Sequence, residues 1–388
     1  MNKNLTRHRS FQLIGILWIF TLTSAAWSCT RRSADSTLFA HKDSLTGKDG
    51  EKKEIILTFV GDIMAHMPQI TAAHQGQGIY YFDDCFTFIK PVVEKADVAI
   101  ANLETTLAGK PYTGYPQFSA PDALTAALKR TGFDVLTTAN NHCCDRGAKG
   151  IKRTLQVIKK QGFHSTGTFT DTQDKNKRNP LMMQVKGVKF ALLAYTYDTN
   201  GIPTPRGTLV NLIDTAAIRR DVSKADSLGA QYKIVQIHWG IEYEKLPNKK
   251  QKQLALYLNK LGVDAIIGSH PHVVQESDVI PSPDEDGKES YVIYSLGNCI
   301  SNQNDAPSRG GMMLTLNISR DEEHFVTRPE YQYFWVNKKD TKGKAVYRLI
   351  PVDMQGSTSD KIPKHDQAAF REFRSYYSSI PMHTPLEK

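Results

Sequence analysis

The sequence predicts a layered α/β fold, and two features of its pattern lead to that prediction. Short apolar runs rich in Ile, Val, Leu and Phe recur from Glu54 onward, and amphipathic stretches lie between them. Continuous apolar runs of this length are typical of strands that are buried on both faces. Their alternation with helical stretches favours a sheet that is covered by helices and joined by short connections.

The apolar runs give the expected strands, and glycines bound the stretches between them. The strands are expected at residues 55–61, 97–103, 133–139, 189–196, 233–239, 264–270 and 291–297. The helices are expected at residues 121–129, 148–160, 214–228 and 249–261. A glycine follows each helix within three residues, and glycine is the residue that most often ends a helix in the left-handed conformation.

The pattern changes after Gly310, where strands are expected without helices between them. These strands are expected at residues 312–318, 331–336 and 345–349, and a short helix is expected at residues 367–377. Strands in direct succession favour an antiparallel edge or a second sheet. We therefore expect a main domain at residues 54–310 and a β-rich extension at residues 311–388 that completes the fold.

The N-terminal segment predicts export from the cytoplasm. Basic residues precede an apolar run at residues 11–23, and small residues follow it. This order is typical of a secretory signal peptide, and the run is shorter than the ~20 residues that cross a membrane. Cys29 comes next, at the position of the lipidated cysteine in bacterial lipoproteins, so we expect a lipoprotein-type signal at residues 1–28. Ordinary cleavage and an uncleaved anchor are the alternatives.

Residues 29–53 follow the expected signal and are polar and charged. Segments with so few apolar residues do not bury enough surface to fold, so we expect a disordered tether. A lipid on Cys29 would then hold the folded part at a membrane surface.

Composition restricts the classes of protein and partner. The chain has 388 residues, of which 40% are hydrophobic, and this size allows a large core without disulfides. The net charge of +9 favours an anionic polymer or a membrane as neighbour, with an ordinary basic surface as the alternative. The basic residues form no nucleic-acid-binding motif, so we expect no nucleic-acid partner. The five cysteines have no zinc-finger spacing and are expected mainly to pack in the core.

Polar side chains suited to chemistry lie at or just after the ends of most of the expected strands. They are Asp62, Glu104, Asn140, Asn141, His142, His238, His270, His272 and Asn298. Ligands of open α/β sheets gather at the carboxyl ends of the strands. Carboxylate, imidazole and amide groups together suit divalent ions such as Mn, Zn or Fe. The set therefore predicts a metal site, with one or two ions.

Six short motifs occur in a fixed order: GDIM, NLE, NNHxxDxG, HWGxEY, GSHPH and SLGN. As an ordered set they resemble the CapA family, which is associated with bacterial capsule and poly-γ-glutamate synthesis. That family is similar in fold to calcineurin-like metallophosphoesterases. The resemblance covers about residues 55–300. It implies a metallophosphoesterase-like fold, a four-layer αββα sandwich of two mixed β-sheets.

The resemblance also implies a role for each matching residue. The implied metal ligands are Asp62, Glu104, Asn141, His238, His270 and His272. Of these, Asp62 and His272 would bind a first ion, and Glu104 would bridge it to a second. The remaining three would bind the second ion.

The implied catalytic residues are Asp62, His142 and His238, where the histidines would support the leaving group or transfer protons. One position departs from the wider superfamily, which has Asp-x-His at the first strand. Met64 occupies the histidine position here. His66 would substitute for it if the loop folds back.

The resemblance leads to two main hypotheses about function. In the first, the chain is an exported metal-dependent hydrolase or transferase that acts on an anionic capsule or glutamate polymer, with capsule-synthesis membrane proteins as partners. In the second, the chain is a non-catalytic polymer-binding or export assembly factor with a degenerate metal site. A nuclease or nucleotidase is less favoured, because the sequence shows no platform of aromatic and basic residues for single strands.

Overall fold

The structure, a computed structural model, describes residues 39–40, 54–284, 288–320, 324–340, 342–354 and 362–383. The expected signal peptide and Cys29 lie outside these residues. Of the expected tether at residues 29–53, only Phe39–Ala40 is described, as a two-residue strand. No helix within the described ranges is both long enough and apolar enough to cross a membrane.

The strands are numbered in chain order over the described residues. They are β1 (Phe39–Ala40), β2 (Ile55–Ile63), β3 (Val98–Leu103), β4 (Val135–Thr137), β5 (His164–Thr166), β6 (Thr168–Phe169), β7 (Leu181–Val185), β8 (Val188–Thr196), β9 (Leu209–Val210), β10 (Tyr232–His238), β11 (Ala265–Ser269), β12 (Ser277–Pro281), β13 (Glu289–Ile293), β14 (Asn298–Ile300), β15 (Gly310–Arg320), β16 (Phe325–Lys339) and β17 (Ala345–Pro351).

The α-helices are numbered in the same way. They are α1 (Met67–Ala73), α2 (Asp83–Phe86), α3 (Lys90–Val93), α4 (Ala123–Thr131), α5 (Gly147–Lys160), α6 (Thr172–Arg178), α7 (Thr215–Ser227), α8 (Lys249–Lys260) and α9 (Gln367–Ser378). The helices predicted from the sequence correspond to α4, α5, α7, α8 and α9.

Two large mixed sheets form the centre of the structure. One has the strand order β1-β7-β8-β10-β11-β13-β12, and the other has the order β17-β16-β15-β2-β3-β4-β5 with β14 paired to β2. In the first sheet, β8, β10, β11 and β13 run parallel. In the second, β2, β3, β4 and β5 run parallel, and β15 joins β2 in the antiparallel direction.

The core shows how these sheets are layered. One apolar cluster contains residues of both sheets, such as Phe59 of β2 and Ile234 of β10, so the sheets face each other. A second cluster packs helices such as α4 on the outer face of one sheet. A third packs α7 and α8, through Ile218 and Leu258, on the outer face of the other. The predicted four-layer αββα sandwich of two mixed sheets is confirmed.

The prediction of one strand at residues 291–297 is wrong at its end. β13 ends at Ile293, and the chain then turns into β14 of the other sheet. Gly297 makes this crossing with a left-handed φ of 68°, a conformation that glycine adopts without strain. A side chain at Gly61 of β2 would lie 1.9 Å from the carbonyl oxygen of Gly297. The two backbones therefore touch where the sheets meet.

Some short elements did not show in the sequence pattern. They are α1, α2, α3, α6, β5, β6, β7, β9 and β12. Helices of four to seven residues, such as α2 and α6, offer less than two turns of periodicity. The strands are mostly short and lie at sheet edges, where tertiary pairing rather than local pattern selects them.

Candidate metal centre

The polar residues predicted at the strand ends lie together where the two sheets meet. Asp62 is the penultimate residue of β2, and Glu104 directly follows β3. His238 ends β10 of the facing sheet, and His270 directly follows β11. Because these parallel strands end at the same edge, residues distant in the chain become neighbours.

Asp62 is fully buried, and its carboxylate makes the first group of contacts in the centre. Its Oδ1 accepts a hydrogen bond from Asn102 Nδ2 at 2.8 Å. Its Oδ2 accepts one from the backbone N–H of His270 at 3.2 Å and lies 3.2 Å from His272 Nδ1. The carboxylate is therefore held in one orientation by groups from both sheets.

Glu104 is also fully buried, but its carboxylate is bound differently. Neither oxygen has a hydrogen-bond donor among the described residues. Oε1 lies 3.5 Å from His238 Nε2 and 4.0 Å from His272 Nε2. A buried carboxylate without donors costs several kcal/mol unless a proton or a cation neutralises it.

His238 and Asn141 form the second group of contacts. Asn141 Oδ1 lies 2.9 Å from His238 Nε2, and Ser269 Oγ lies 3.0 Å from His238 Nδ1. Asn141 Nδ2 donates to Asn200 Oδ1 at 3.1 Å, which fixes the amide with its oxygen towards the histidine.

The backbone of the H-P-H segment after β11 is strained at both histidines. His270 and His272 have left-handed φ values of 99° and 60°, which are uncommon for residues other than glycine. Such strain persists where the surrounding structure determines it, and it concentrates at functional sites. The ring of His270 lies 4.8 Å from that of His238, and its Nδ1 is buried without a hydrogen-bond partner.

His142 lies beside this centre and is held by residues of its own loop. Its Nδ1 is 2.9 Å from Asp145 Oδ2, which also accepts the backbone N–H of Phe118 at 2.7 Å. The ring of Phe118 packs edge-on against that of His142, with ring centroids 4.6 Å apart. Asp145 thus orients the imidazole, as the acidic partner of a catalytic histidine does.

Burial and mutual contact shift the pKa values of the central groups. Burial raises the pKa of Asp62, but His272 and His238 more than offset this, and the pKa is about 2. Burial and the charge of Asp62 raise the pKa of Glu104 well above its ordinary value. Burial lowers the pKa of His238 to about 4 and that of His270 to about 2.

His272 is the exception among the central histidines. Burial opposes its imidazolium form, but the carboxylates of Glu104 and Asp62 raise its pKa to about 9. The carboxylate pair therefore attracts positive charge, and a proton on His272 supplies it. A divalent cation would supply this positive charge in the same way.

The residues present fit a divalent metal ion. Three groups of side chains each bring ligand atoms within 4.8 Å of one another: Glu104, His238 and His270; Asp62, Glu104 and His272; and Glu242, His270 and His272. Both oxygens of Glu104 and Nδ1 of His270 have no other partner among the described residues. Glu104 belongs to two of the groups, as a bridging carboxylate would.

His66 does not take the place of the missing histidine at position 64. Its Nδ1 lies 3.2 Å from Gln69 Oε1 and accepts the backbone N–H of Asn302 at 3.3 Å. It belongs to none of the ligand groups found among the described residues. Met64 itself is 2% exposed, so an apolar thioether occupies the position.

Several residues of the site were missed by the sequence prediction. Asn102 orients Asp62, and Ser269 contacts His238. Tyr197 packs its ring 4.5 Å from that of His270. Tyr197 directly follows β8. The strand expected at residues 189–196 was the one expected strand before Gly310 to which no polar residue was assigned, so the residue after it could have been predicted as part of the site.

The ordered motifs also match a family of known sequences. Residues 56–303 match the model of the bacterial capsule synthesis protein family PGA_cap. The chain belongs to the PGA_cap family. The resemblance to CapA proteins that the motifs predicted is thereby confirmed.

Two relatives of this PGA_cap protein carry CapA names. The capsule biosynthesis protein CapA of Bacillus anthracis is 30% identical over 66% of this chain and 62% of its own length. The PGA biosynthesis protein CapA of Bacillus subtilis (strain 168) is 28% identical over 68% of each chain. The PGA_cap chain thus spans less than two thirds of the Bacillus anthracis protein.

Solved structures similar to this PGA_cap protein have low sequence identity to it. The NAD nucleotidase NadN of Haemophilus influenzae aligns with a TM-score of 0.49 and 14% identity, over 87% of this chain and 65% of that one. The calcineurin-like phosphoesterase YfkN of Bacillus subtilis aligns with a TM-score of 0.41 and 13% identity, over 85% of this chain and all of that one.

Proposed function

We propose that this PGA_cap protein is an exported, metal-dependent hydrolase or transferase that acts on an anionic capsule or glutamate-type polymer of the cell envelope. Membership of a capsule synthesis family supports the biological setting. The names of the two CapA relatives, which refer to capsule and PGA biosynthesis, support the class of polymer.

One observation carries the metal-dependent part of the proposal. Glu104 is fully buried beside Asp62, and neither of its oxygens meets a hydrogen-bond donor among the described residues. A protein does not ordinarily keep a carboxylate in this state, because the desolvation cost is large. Surrounding histidines with low pKa values supply neutral imidazoles, the form in which histidine binds a metal.

The residues of the centre divide into ligands and proton-transfer groups. Asp62, Glu104, Asn141, His238, His270 and His272 would hold the ion or ions. The chemistry that a divalent ion supplies in such a site is Lewis acidity, which makes water a stronger acid and polarises the bond under attack. His142, oriented by Asp145, would deliver a proton to the leaving group from the edge of the centre.

The proposal is tested by measuring metal and turnover together. The chain from residue 54 onward is purified, its content of Mn, Zn and Fe is measured by mass spectrometry, and hydrolysis of bis(p-nitrophenyl) phosphate is followed with and without added Mn²⁺. The variants Glu104→Ala and His270→Ala are measured in parallel, with Glu94→Ala, an exposed residue directly after α3, as the matched control.

Bound metal and turnover that are both lost in the two site variants, but kept in the control, support the enzyme. Absence of metal in the unsubstituted chain contradicts the metal centre itself. Cleavage of poly-γ-glutamate is followed on the same preparations by gel filtration. Bound metal without turnover of either substrate supports the second candidate function instead.

That second candidate is a polymer-binding or assembly factor without turnover. Met64 favours it, because a buried thioether stands where the superfamily has a metal-binding imidazole. A centre with one ligand fewer would still attract polymer carboxylates through its ion. Sedimentation of poly-γ-glutamate with the protein, with and without EDTA, measures this binding directly.

Membrane attachment through a lipid on Cys29 is a separate part of the proposal. The order of basic, apolar and small residues before Cys29 supports it. The full chain and its Cys29→Ser variant are expressed in bacteria that are fed a radioactive fatty acid. We expect label in the full chain and none in the variant; equal labelling of both would contradict lipidation at Cys29.

A further inference from the structure

A carboxylate outside the predicted ligand set lies at the open side of the metal centre. Glu242 belongs to the loop between β10 and α8, and its side chain is exposed. One of its oxygens lies within 4.8 Å of ring nitrogens of both His270 and His272. The other two ligand groups are built from buried residues, so Glu242 is the one member of the three groups that meets solvent.

The loop that carries Glu242 is attached to the segment that carries the histidines. The backbone N–H of Tyr243 donates to the carbonyl oxygen of Pro271 at 2.8 Å. Gln275 Nε2 donates to the carbonyl oxygen of Glu244 at 2.8 Å, which ties the loop a second time to the same segment. The two residues directly after Glu242 are therefore fixed to the histidine segment.

The backbone at this point is strained. Tyr243 has a left-handed φ of 66°, and the two histidines opposite it have left-handed φ values as well. Three strained residues other than glycine thus lie on the two segments that meet at the hydrogen bond to Pro271. Strain of this kind is kept where surrounding contacts impose it.

A second observation points to a ligand at His270. Nδ1 of His270 is buried without any hydrogen-bond partner among the described residues, and the side chain as a whole is 2% exposed. A buried ring nitrogen in this state costs free energy unless a donor or a cation occupies the space it faces.

The charge of Glu242 acts on the same space. A bare carboxylate here would repel an anionic polymer that approaches the centre. A cation bound to that carboxylate would remove the repulsion.

The geometry points to Glu242 as a further metal ligand, which binds a divalent cation together with His270 and His272 from the solvent side. This inference rests on the metal centre of the proposed function and gives a ligand role to the glutamate of the HWGxEY motif, which the predicted ligand set did not include. It gives the exposed loop between β10 and α8 a part in holding the ion, and it places a neutralised carboxylate where the anionic substrate arrives.

The test compares Glu242→Gln with Glu244→Gln, a neighbouring exposed glutamate that belongs to no ligand group among the described residues. Affinity for Mn²⁺ and Zn²⁺ is measured by isothermal titration calorimetry on metal-free protein, and the visible spectrum of the Co²⁺-loaded protein reports the ligand set. Because Glu242 is exposed, the variant is expected to fold, and its thermal melt without metal verifies this.

We expect Glu242→Gln to bind the ions roughly 10- to 100-fold more weakly and to change the Co²⁺ spectrum, while Glu244→Gln matches the unsubstituted chain. Equal affinity and an unchanged spectrum in Glu242→Gln would overturn the assignment. An equal loss of metal affinity in both variants would also overturn the assignment. The total negative charge of the loop, rather than a ligand role of Glu242, would then explain the loss. If the unsubstituted chain binds no metal, both this inference and the metal centre fail.

Discussion

At the scale of single residues, the centre combines two carboxylates whose hydrogen bonding and pKa values differ in opposite directions. Asp62 accepts several hydrogen bonds and is stabilised as an anion, with a pKa of about 2. Glu104 meets no donor among the described residues, and its pKa is raised well above the ordinary value by burial and by Asp62. Asp62 is therefore stable as an anion without a metal ion, whereas Glu104 takes up a proton unless a cation lies beside it.

The variant Glu104→Gln should therefore separate stability from metal binding. Removing a buried charge beside Asp62 should raise the melting temperature of the metal-free protein by roughly 2 to 4 °C, the shift that ~1 kcal/mol gives in a chain of a few hundred residues. The additional stabilisation by Mn²⁺ should shrink. Scanning fluorimetry in EDTA and in Mn²⁺ measures both effects, and a lower melting temperature of the metal-free variant would contradict this view of Glu104.

His142 should behave differently from the ligands. His142→Asn is expected to keep the metal content and to lower hydrolysis of the test ester by roughly 10²- to 10⁴-fold, the usual contribution of general acid–base catalysis. Metal analysis and initial rates on the same preparation measure this. If the variant loses metal along with turnover, His142 helps to position the metal ligands, and its assignment as the proton-transfer group is contradicted. Asp145→Asn should show the same direction of change with a smaller loss.

At the scale of elements, the buried residue Asp264 joins the starts of three neighbouring strands. It directly precedes β11, and its Oδ2 accepts the backbone N–H of Lys233 in β10 at 2.7 Å. The backbone N–H of Asp264 donates to the carbonyl oxygen of Lys233 at 2.9 Å, and its own carbonyl accepts the N–H of Tyr291 in β13 at 3.0 Å. Burial raises the pKa of this side chain to about 6, although Lys288 and the Lys233 N–H lower it.

This raised pKa predicts a pH dependence of stability. An aspartate in the unfolded chain has a pKa of ~3.9, so between about pH 4 and pH 6 the folded protein holds a proton that the unfolded chain has lost. The resulting stabilisation is complete below about pH 4 and is lost as the pH rises through 6.

Asp264→Asn keeps an oxygen acceptor and does not ionise. We expect the melting temperature of Asp264→Asn to increase relative to that of the unsubstituted chain as the pH rises from 4 to 7. Thermal melts across this range measure the difference, with Asp278→Asn, on the neighbouring strand β12, as the control. A difference that stays constant with pH would contradict the assigned titration.

At the scale of the whole molecule, the last three strands belong to the sheet that carries Asp62 and Glu104. β15 pairs with β2 from Ile55 to Val60, two residues before Asp62. α9 packs Phe370 and Phe373 against Trp335 of β16, with ring centroids 5.6 and 5.2 Å apart. The family match ends at residue 303, whereas the sheet that carries Asp62 continues beyond it.

A chain of residues 54–303 should therefore fail to fold on its own. It keeps every predicted metal ligand but lacks β15, β16, β17 and α9, so one edge of β2 and much of the apolar core would be exposed to water. We expect no cooperative thermal transition by circular dichroism and aggregation on gel filtration. The control chain of residues 54–383 should melt cooperatively. A cooperative transition in the shorter chain would show that the last strands are dispensable.

The strongest sequence predictions were those that depend on local pattern. The long apolar runs of β2, β8 and β10 and the amphipathic helices α5, α7 and α8 were located to within a few residues. Short elements such as α2 and β9 were missed, since they have too few residues for a period to show. The end of the run at residues 291–297 was misjudged because the crossing between sheets at Gly297 depends on contact with Gly61.

The same division holds at the site. Residue order alone determined which side chains follow buried strands, because apolar runs and the polar residues after them are written in the sequence; Asp62, Glu104, His238 and His270 were found in this way. The tertiary structure alone decided which groups meet. Three examples are that Asn102 holds Asp62, that Glu104 meets no donor among the described residues, and that Glu242 reaches the histidines. All three depend on distances between segments far apart in the chain. Such distances arise only when the two sheets pack face to face, and no local pattern encodes them.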